Sequence, residues 1–229
     1  MREVIFDTET TGLDPRSGDR MVEIGCVEMI NKVPTGNTYH AYYNPERDMP
    51  AGAEAVHGLS AAFLSDKPLF ADTAQELLDF IEDSPLVAHN ASFDFGFLNT
   101  ELAIISMEAI CTSRMIDTVA LARRKHPGAK LSLDALCSRY GIDRSHRVRH
   151  GALLDAELLA QVYVELTGGR QIGLELAAEV VQQVTAIHIS STAMTPKNRQ
   201  PARPHSASAE ELSRHQEFLG LIKSPLWGQ

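Results

Sequence analysis

The sequence predicts an α/β protein, a mixed sheet flanked by helices, followed by a tail of different character. Three observations predict it. Strand-like apolar runs crowd residues 3–43, strand and helix patterns alternate over residues 73–166, and Ser, Thr, Pro, Ala, Lys and Arg dominate residues 190–209. A run of strands followed by alternating strands and helices makes a mixed sheet with helices packed on it.

The elements follow in order. Val4, Ile5 and Phe6 are consecutive and apolar, so residues 3–9 read as a strand covered on both faces. Runs at Met21–Ile30 and Thr38–Tyr43 continue a meander, with Pro34 and Gly36 placing a turn over residues 31–37. Residues 73–82 have helical spacing behind Thr73 as N-cap. Leu86–His89 is a short strand and Phe93–Leu102 a helix. Asp117, ahead of Thr118-Val-Ala-Leu-Ala-Arg, reads as another N-cap. A last helix over Gly151–Leu166 is closed by Gly168-Gly169. The predicted boundaries are therefore 1–169 for the globular domain, 170–207 for a linker and 208–229 for a terminal segment. In that segment Ser208-Ala-Glu-Glu fits a capping box before Leu212, Phe218, Leu219 and Ile222, and Trp227 stands near the end.

Composition narrows the function. An apolar fraction of 44% over 229 residues supports a real core. No run approaches the roughly 20 apolar residues of a membrane span. The N-terminus enters a strand at once, unlike a signal peptide. Cys26, Cys111 and Cys137 are odd in number and far apart, which suits reduced thiols in the cytoplasm. The net charge of −9 argues against gripping a long duplex by charge alone. Residues 1–169 carry 15 Lys+Arg against 25 Asp+Glu, hence −10, and residues 170–229 carry 6 against 5, hence +1.

Four acids sit where a core should be. Asp7 and Glu9, two apart on a strand, leave the same face; a fraying strand end in water is the plain alternative. Asp94 shares a helical face with Ala91, Phe97 and Leu98, although a first-turn acid also favours a helix N-terminus. Asp155 falls among Ala152, Leu158, Leu159 and Val162, while Glu157 falls on the polar side. An inward carboxylate is costly unless it meets a cation or a metal, and Arg139, Arg144, Arg147 and Arg149 are the competing partners. Oxygen ligands without thiolates favour Mg²⁺ or Mn²⁺ over zinc.

Three ordered segments then match a known pattern. Phe6-Asp-Thr-Glu-Thr-Thr-Gly-Leu13, His89-Asn-Ala-Ser-Phe-Asp-Phe-Gly-Phe-Leu98 and His150-Gly-Ala-Leu-Leu-Asp-Ala-Glu157 resemble the exonuclease motifs of the DEDD superfamily in its histidine form, DEDDh. The resemblance implies a ribonuclease H-like fold and release of nucleoside monophosphates from a 3′ end. It also implies two Mg²⁺ or Mn²⁺ ions held by Asp7, Glu9, Asp94 and Asp155, with His150 as general base. Thr8, Glu9, Thr10 and Leu13, with Val56 and His57, are the expected contacts to the terminal nucleotide. His57, beside Gly58, could equally tether its own turn.

Within the class, the third segment and Leu166-Thr-Gly-Gly169 are most similar to the proofreading subunits of bacterial DNA polymerase III. That likeness implies single-stranded or frayed DNA as substrate and a nucleoid-associated, cytoplasmic place. It implies docking on the polymerase (alpha) subunit through residues 208–229. Gln171-Ile-Gly-Leu-Glu-Leu176 resembles sliding-clamp peptides without their terminal Phe, and a frayed helical extension is the alternative there. The rival readings are a free-standing DEDDh exonuclease acting on RNA or short oligonucleotides, and a non-catalytic tethering subunit.

Overall fold

A computed structural model describes residues 1–145, 150–168 and 207–221. The chain divides into two units, Met1–Glu175 and Leu176–Gln229, each taken by itself below. Among its described residues the first unit holds five strands, β1 (Arg2–Thr10), β2 (Met21–Ile30), β3 (Val33–Tyr42), β4 (Leu86–Ala88) and β5 (Met115–Asp117). Its helices are α1 (Ala51–His57), α2 (Ala61–Leu64), α3 (Phe70–Ile81), α4 (Ala91–Ile104), α5 (Thr118–Lys125), α6 (Leu133–Tyr140) and α7 (Ala152–Leu166). The strands lie in the order β3-β2-β1-β4-β5. The β1/β2 and β2/β3 pairs are antiparallel, and the β1/β4 and β4/β5 pairs are parallel.

Strand alternation divides the core in two. Val4 and Phe6 pack with Ile24, Leu77, Leu98 and Leu102 on one face of the sheet. Ile5, Val27 and Met29 pack with Leu136, Leu159 and Val162 on the other. A central strand covered on both sides needs consecutive apolar residues, and β1 supplies them through Phe6.

Two local expectations are corrected. The turn after β2 is not residues 31–37 but the pair Asn31-Lys32, both at positive φ (52° and 67°). Two such residues make the tight hairpin turn whose twist suits antiparallel strands. Val33 to Tyr42 is therefore all strand, and Pro34 is tolerated because β3 is an edge. Thr73 is not an N-cap. The helix α3 starts at Phe70, and Asp72 Oδ2 accepts the Leu69 N–H at 2.9 Å. The expected cap at Asp117 is present, since its Oδ1 accepts the Val119 N–H at 2.9 Å.

In the second unit, helix α8 (Ala209–Leu221) begins with the capping box read from the sequence. Ser208 N donates to Glu211 Oε2 at 2.8 Å, and Glu211 N donates to Ser208 Oγ at 3.3 Å. Its Leu212, Phe218 and Leu221 are exposed. The linker reading, Gln171–Leu176 and Trp227 fall outside the described residues. Among the described residues no helix is long and apolar enough to cross a membrane.

Candidate metal centre

The site forms where β4 stops. Its register against β1 ends at Ile5↔Val87, so the β1 edge beyond that pair has no neighbouring strand. Thr8 N donates across this gap to Asp94 Oδ1 at 3.1 Å, and Thr8 Oγ1 donates to the same oxygen at 2.8 Å. Asp94 sits in the first turn of α4, behind Asn90 in the left-handed conformation (φ 65°, ψ 50°), which asparagine tolerates. The Asn90 N–H donates to Asp117 Oδ1 at 3.1 Å, tying the start of α4 to the end of β5.

Asp7 and Glu9 leave β1 on the opposite face from Thr8, toward α7. There Asp155 is 3% exposed in the first turn of α7, with Ala152, Leu158, Leu159 and Val162 buried around it. One ligand atom each from Glu9, His150 and Asp155 lies within 4.8 Å of the others. His150 Nδ1 is 3.3 Å from Asp155 Oδ2. Asp7, Glu9, Asp94, His150 and Asp155 all line one cleft of about 300 Å³, together with Thr8, His89, Phe93, Ser132, Leu133 and Asp134. All five residues expected from the sequence are thus brought to one place.

The electrostatics suit a cation. Burial pushes the Asp94 carboxyl up to about 7, against the lowering effect of its hydrogen bonds from Thr8, and the negative charge of Asp117 adds to the rise. Glu9 stands directly opposite Glu23 in the β1/β2 register, and like charges so placed repel. Glu23 is itself held by His40 Nε2 at 2.7 Å. Carboxylate oxygens beside the His150 imidazole, with no thiolate among the described residues of the cleft, fit a hard divalent ion. Of the arginines weighed as partners for Asp155, Arg144 pairs with Asp134 at 2.9 Å, while Arg147 and Arg149 lie outside the described residues.

The expected nucleotide contacts divide. Leu13 and Val56 are exposed, at 85% and 48%. The hydroxyl of Thr8 is committed to Asp94, and that of Thr10 donates to the Gly12 carbonyl at 2.6 Å. His57 is buried at the end of α1, where its Nδ1 accepts the Leu59 N–H at 3.0 Å, and burial lowers its pKa. Sequence reasoning gave no role to His89, whose Nδ1 lies 2.9 Å from Thr118 Oγ1 and which lines the cleft. It also passed over Ser132, the N-cap of α6, beside the same cleft.

Comparison with known proteins agrees with this geometry. The sequence profile described as "Exonuclease" matches residues 4–163. The chain is 50% identical over 225 residues to a DNA polymerase III subunit epsilon of Rickettsia felis, covering 97% of each chain. It is 39% identical over 238 residues to that of Escherichia coli, covering 99% of this chain and 97% of the other. Among solved structures, exonuclease X in complex with 5′ overhanging duplex DNA superposes with a TM-score of 0.56 at 29% identity. That match covers 72% of this chain and 90% of that one. The nuclease domain of 3′hExo, a DEDDh family member, shares the fold with a TM-score of 0.63 at 17% identity, covering 72% and 91%. The chain therefore belongs to the exonuclease family, in company with the bacterial DNA polymerase III epsilon subunits.

Proposed function

We propose that this chain removes nucleoside monophosphates from frayed or mismatched DNA 3′ ends, as the proofreading subunit of the replicative polymerase. The observation that carries the reading is the convergence of Glu9, Asp155 and His150 within 4.8 Å, in a cleft that also holds Asp7 and Asp94.

Two Mg²⁺ or Mn²⁺ ions are the proposed cofactors, held by Asp7, Glu9, Asp94 and Asp155. When bound they supply a Lewis acid for the phosphate and charge neutralisation for the departing 3′ oxygen. The protein's own part is positional and protolytic. Central in the sheet, β1 fixes Asp7 and Glu9. Thr8 orients Asp94 through two hydrogen bonds to one oxygen, which directs the other oxygen's lone pairs elsewhere. His150 accepts the proton of the attacking water. The half-exposed ring stands beside Asp155 and can pass the proton on to solvent.

Selectivity then needs no reading of bases. A 3′ terminus must unpair to enter a narrow cleft, and unpairing costs a few kcal/mol, least for a mismatch. The C-terminal segment 208–229 is the proposed hold on the polymerase alpha subunit. Support comes from capped helix α8 with exposed Leu212, Phe218 and Leu221, and tethering supplies the local concentration that an acidic chain lacks. Clamp binding through Gln171–Leu176 and a nucleoid-associated, cytoplasmic place complete the proposal.

The deciding experiment is Mg²⁺-dependent release of monophosphates from a 3′-mismatched primer by the intact protein, Asp7→Ala and His150→Ala. Both variants should lose at least about 100-fold in rate. Full activity in either removes that residue from the reaction. Deleting Ser208–Gln229 should abolish capture of the alpha subunit and spare hydrolysis of short oligonucleotides; loss of both activities would place the segment inside the nuclease fold.

A further inference from the structure

Helix α7 brings Asp155 to the cleft, and a single residue of β2 decides how near it comes. At Gly25 a Cβ would lie 2.2 Å from Leu153 N, 2.3 Å from Leu153 Cα and 2.5 Å from the Ala152 carbonyl carbon. All three are backbone atoms in the first turn of α7, so no side-chain rotation relieves the overlap. Gly25 is also the cross-strand partner of Asp7 on one side and of His40 on the other. Cross-strand partners project to the same face, so the missing side chain of Gly25 and the carboxylate of Asp7 both face α7.

We propose that Gly25 is a positioning residue for the metal centre: its bare backbone is the seat on which the first turn of α7 rests, and that seat sets the gap between the β1 carboxylates and the Asp155–His150 pair. The proposal rests on the reading of Glu9, His150 and Asp155 as a metal site. Any side chain at position 25 pushes α7 outward by roughly 1.2–1.8 Å to restore ordinary van der Waals separation. Asp155 lies two residues beyond the point of contact and His150 two residues before Ala152, so both move with the helix. Metal sites tolerate errors of only about 0.5 Å. A structural glycine would cost stability when replaced. A seat costs ion affinity as well, and the loss is recoverable by a longer ligand.

The test is calorimetric titration of the metal-free, full-length protein with Mn²⁺ alone, beside its thermal unfolding. Gly25→Ala should bind Mn²⁺ about 10–100-fold more weakly than the wild type. Leu77→Ala, in the core on the opposite face of the sheet, should lower the unfolding temperature and leave Mn²⁺ affinity within about 2-fold. Asp155→Glu alone should weaken binding by at least about 10-fold, because the seated helix leaves no room for the extra methylene. In the Gly25→Ala background the same longer acid should recover affinity across the widened gap. Wild-type affinity in Gly25→Ala overturns the seat. If Gly25→Ala does not fold, Asp155→Glu decides by itself, since undiminished binding there shows that the gap is not fixed. Failure of the underlying reading looks different: Asp155→Asn would then bind Mn²⁺ as the wild type does.

Discussion

Asp94→Asn replaces one cleft oxygen by an amide and keeps the other, which can still accept both hydrogen bonds from Thr8. It removes a charge that the fold accommodates badly. Burial carries the Asp94 carboxyl from 3.8 to about 7. At about 1.4 kcal/mol for each pH unit, keeping it ionised in the metal-free protein costs up to roughly 4 kcal/mol. Local relaxation and water entry reduce this to an expected 2–4 kcal/mol, to order of magnitude. The sign follows from linkage. A carboxyl whose pKa is higher in the fold than in the unfolded chain contributes stability fully below about 3.8 and loses it as pH rises through about 7. In EDTA at pH 8, Asp94→Asn should therefore melt roughly 5–15 °C above the wild type. At pH 5, above the unfolded value of 3.8 but below the folded one, the advantage of the variant should shrink to roughly 1–2 kcal/mol. In Mg²⁺ at pH 8 the order should narrow or reverse, because only the wild type gains the ion's full stabilisation. Scanning calorimetry at the two pH values, with EDTA and with Mg²⁺, measures all three. A variant less stable than the wild type in EDTA at pH 8, or one whose advantage persists undiminished at pH 5, refutes the reasoning.

Three further outcomes are expected. Glu101 is 1% exposed and accepts Arg20 Nε and Nη2 at 2.8 Å each, plus the Met21 N–H at 3.1 Å. Glu101→Gln should cost about 2–4 kcal/mol in urea unfolding by removing the charge opposite the partly exposed Arg20 and turning an amide NH2 toward its guanidinium, and a loss below about 1 kcal/mol would deny the bridge its role. Cys111 is exposed and hydrogen bonding to Ser113 lowers its thiol pKa, whereas burial raises that of Cys26. Iodoacetamide mapped by mass spectrometry should mark Cys111 first, and equal early labelling of Cys26 would contradict its burial. Single-stranded DNA should be shortened faster than a matched duplex end at equal concentration; equal rates would mean that fraying does not select the substrate.

What could be read from the sequence was whatever a residue's near neighbours decide. Asp155 announced itself because its i+3 and i+4 partners are apolar, and Asp94 likewise; both are buried acids at the cleft. The core of β1 was plain in Val4-Ile5-Phe6. What stayed hidden was decided by distant elements. Thr8, expected at the terminal nucleotide, also holds Asp94, a role that arises because β4 is too short to pair with that part of β1. Glu101 carries no local signal of its role, because its partner Arg20 lies 81 residues away. The start of β3 was missed because Pro34 and Gly36 are strong breakers, while Asn31-Lys32 turned the chain first. Gly25 gave no signal at all, since a strand glycine acquires meaning only from what rests on it.

The placement of the acids on two kinds of support makes the cleft a vice with one fixed jaw. Asp7 and Glu9 belong to a strand clamped by β2 along its length and by β4 at its root, so neither can shift without distorting the whole sheet. Asp155 and His150 belong to the leading end of a helix and the residue just ahead of its cap. Adjustment to an incoming strand end must fall on that second jaw. Harmful substitutions should accordingly sort into two kinds. Those in β1 would abolish the reaction outright, and those beneath α7 would mis-set the grip and be partly reversed by excess ion.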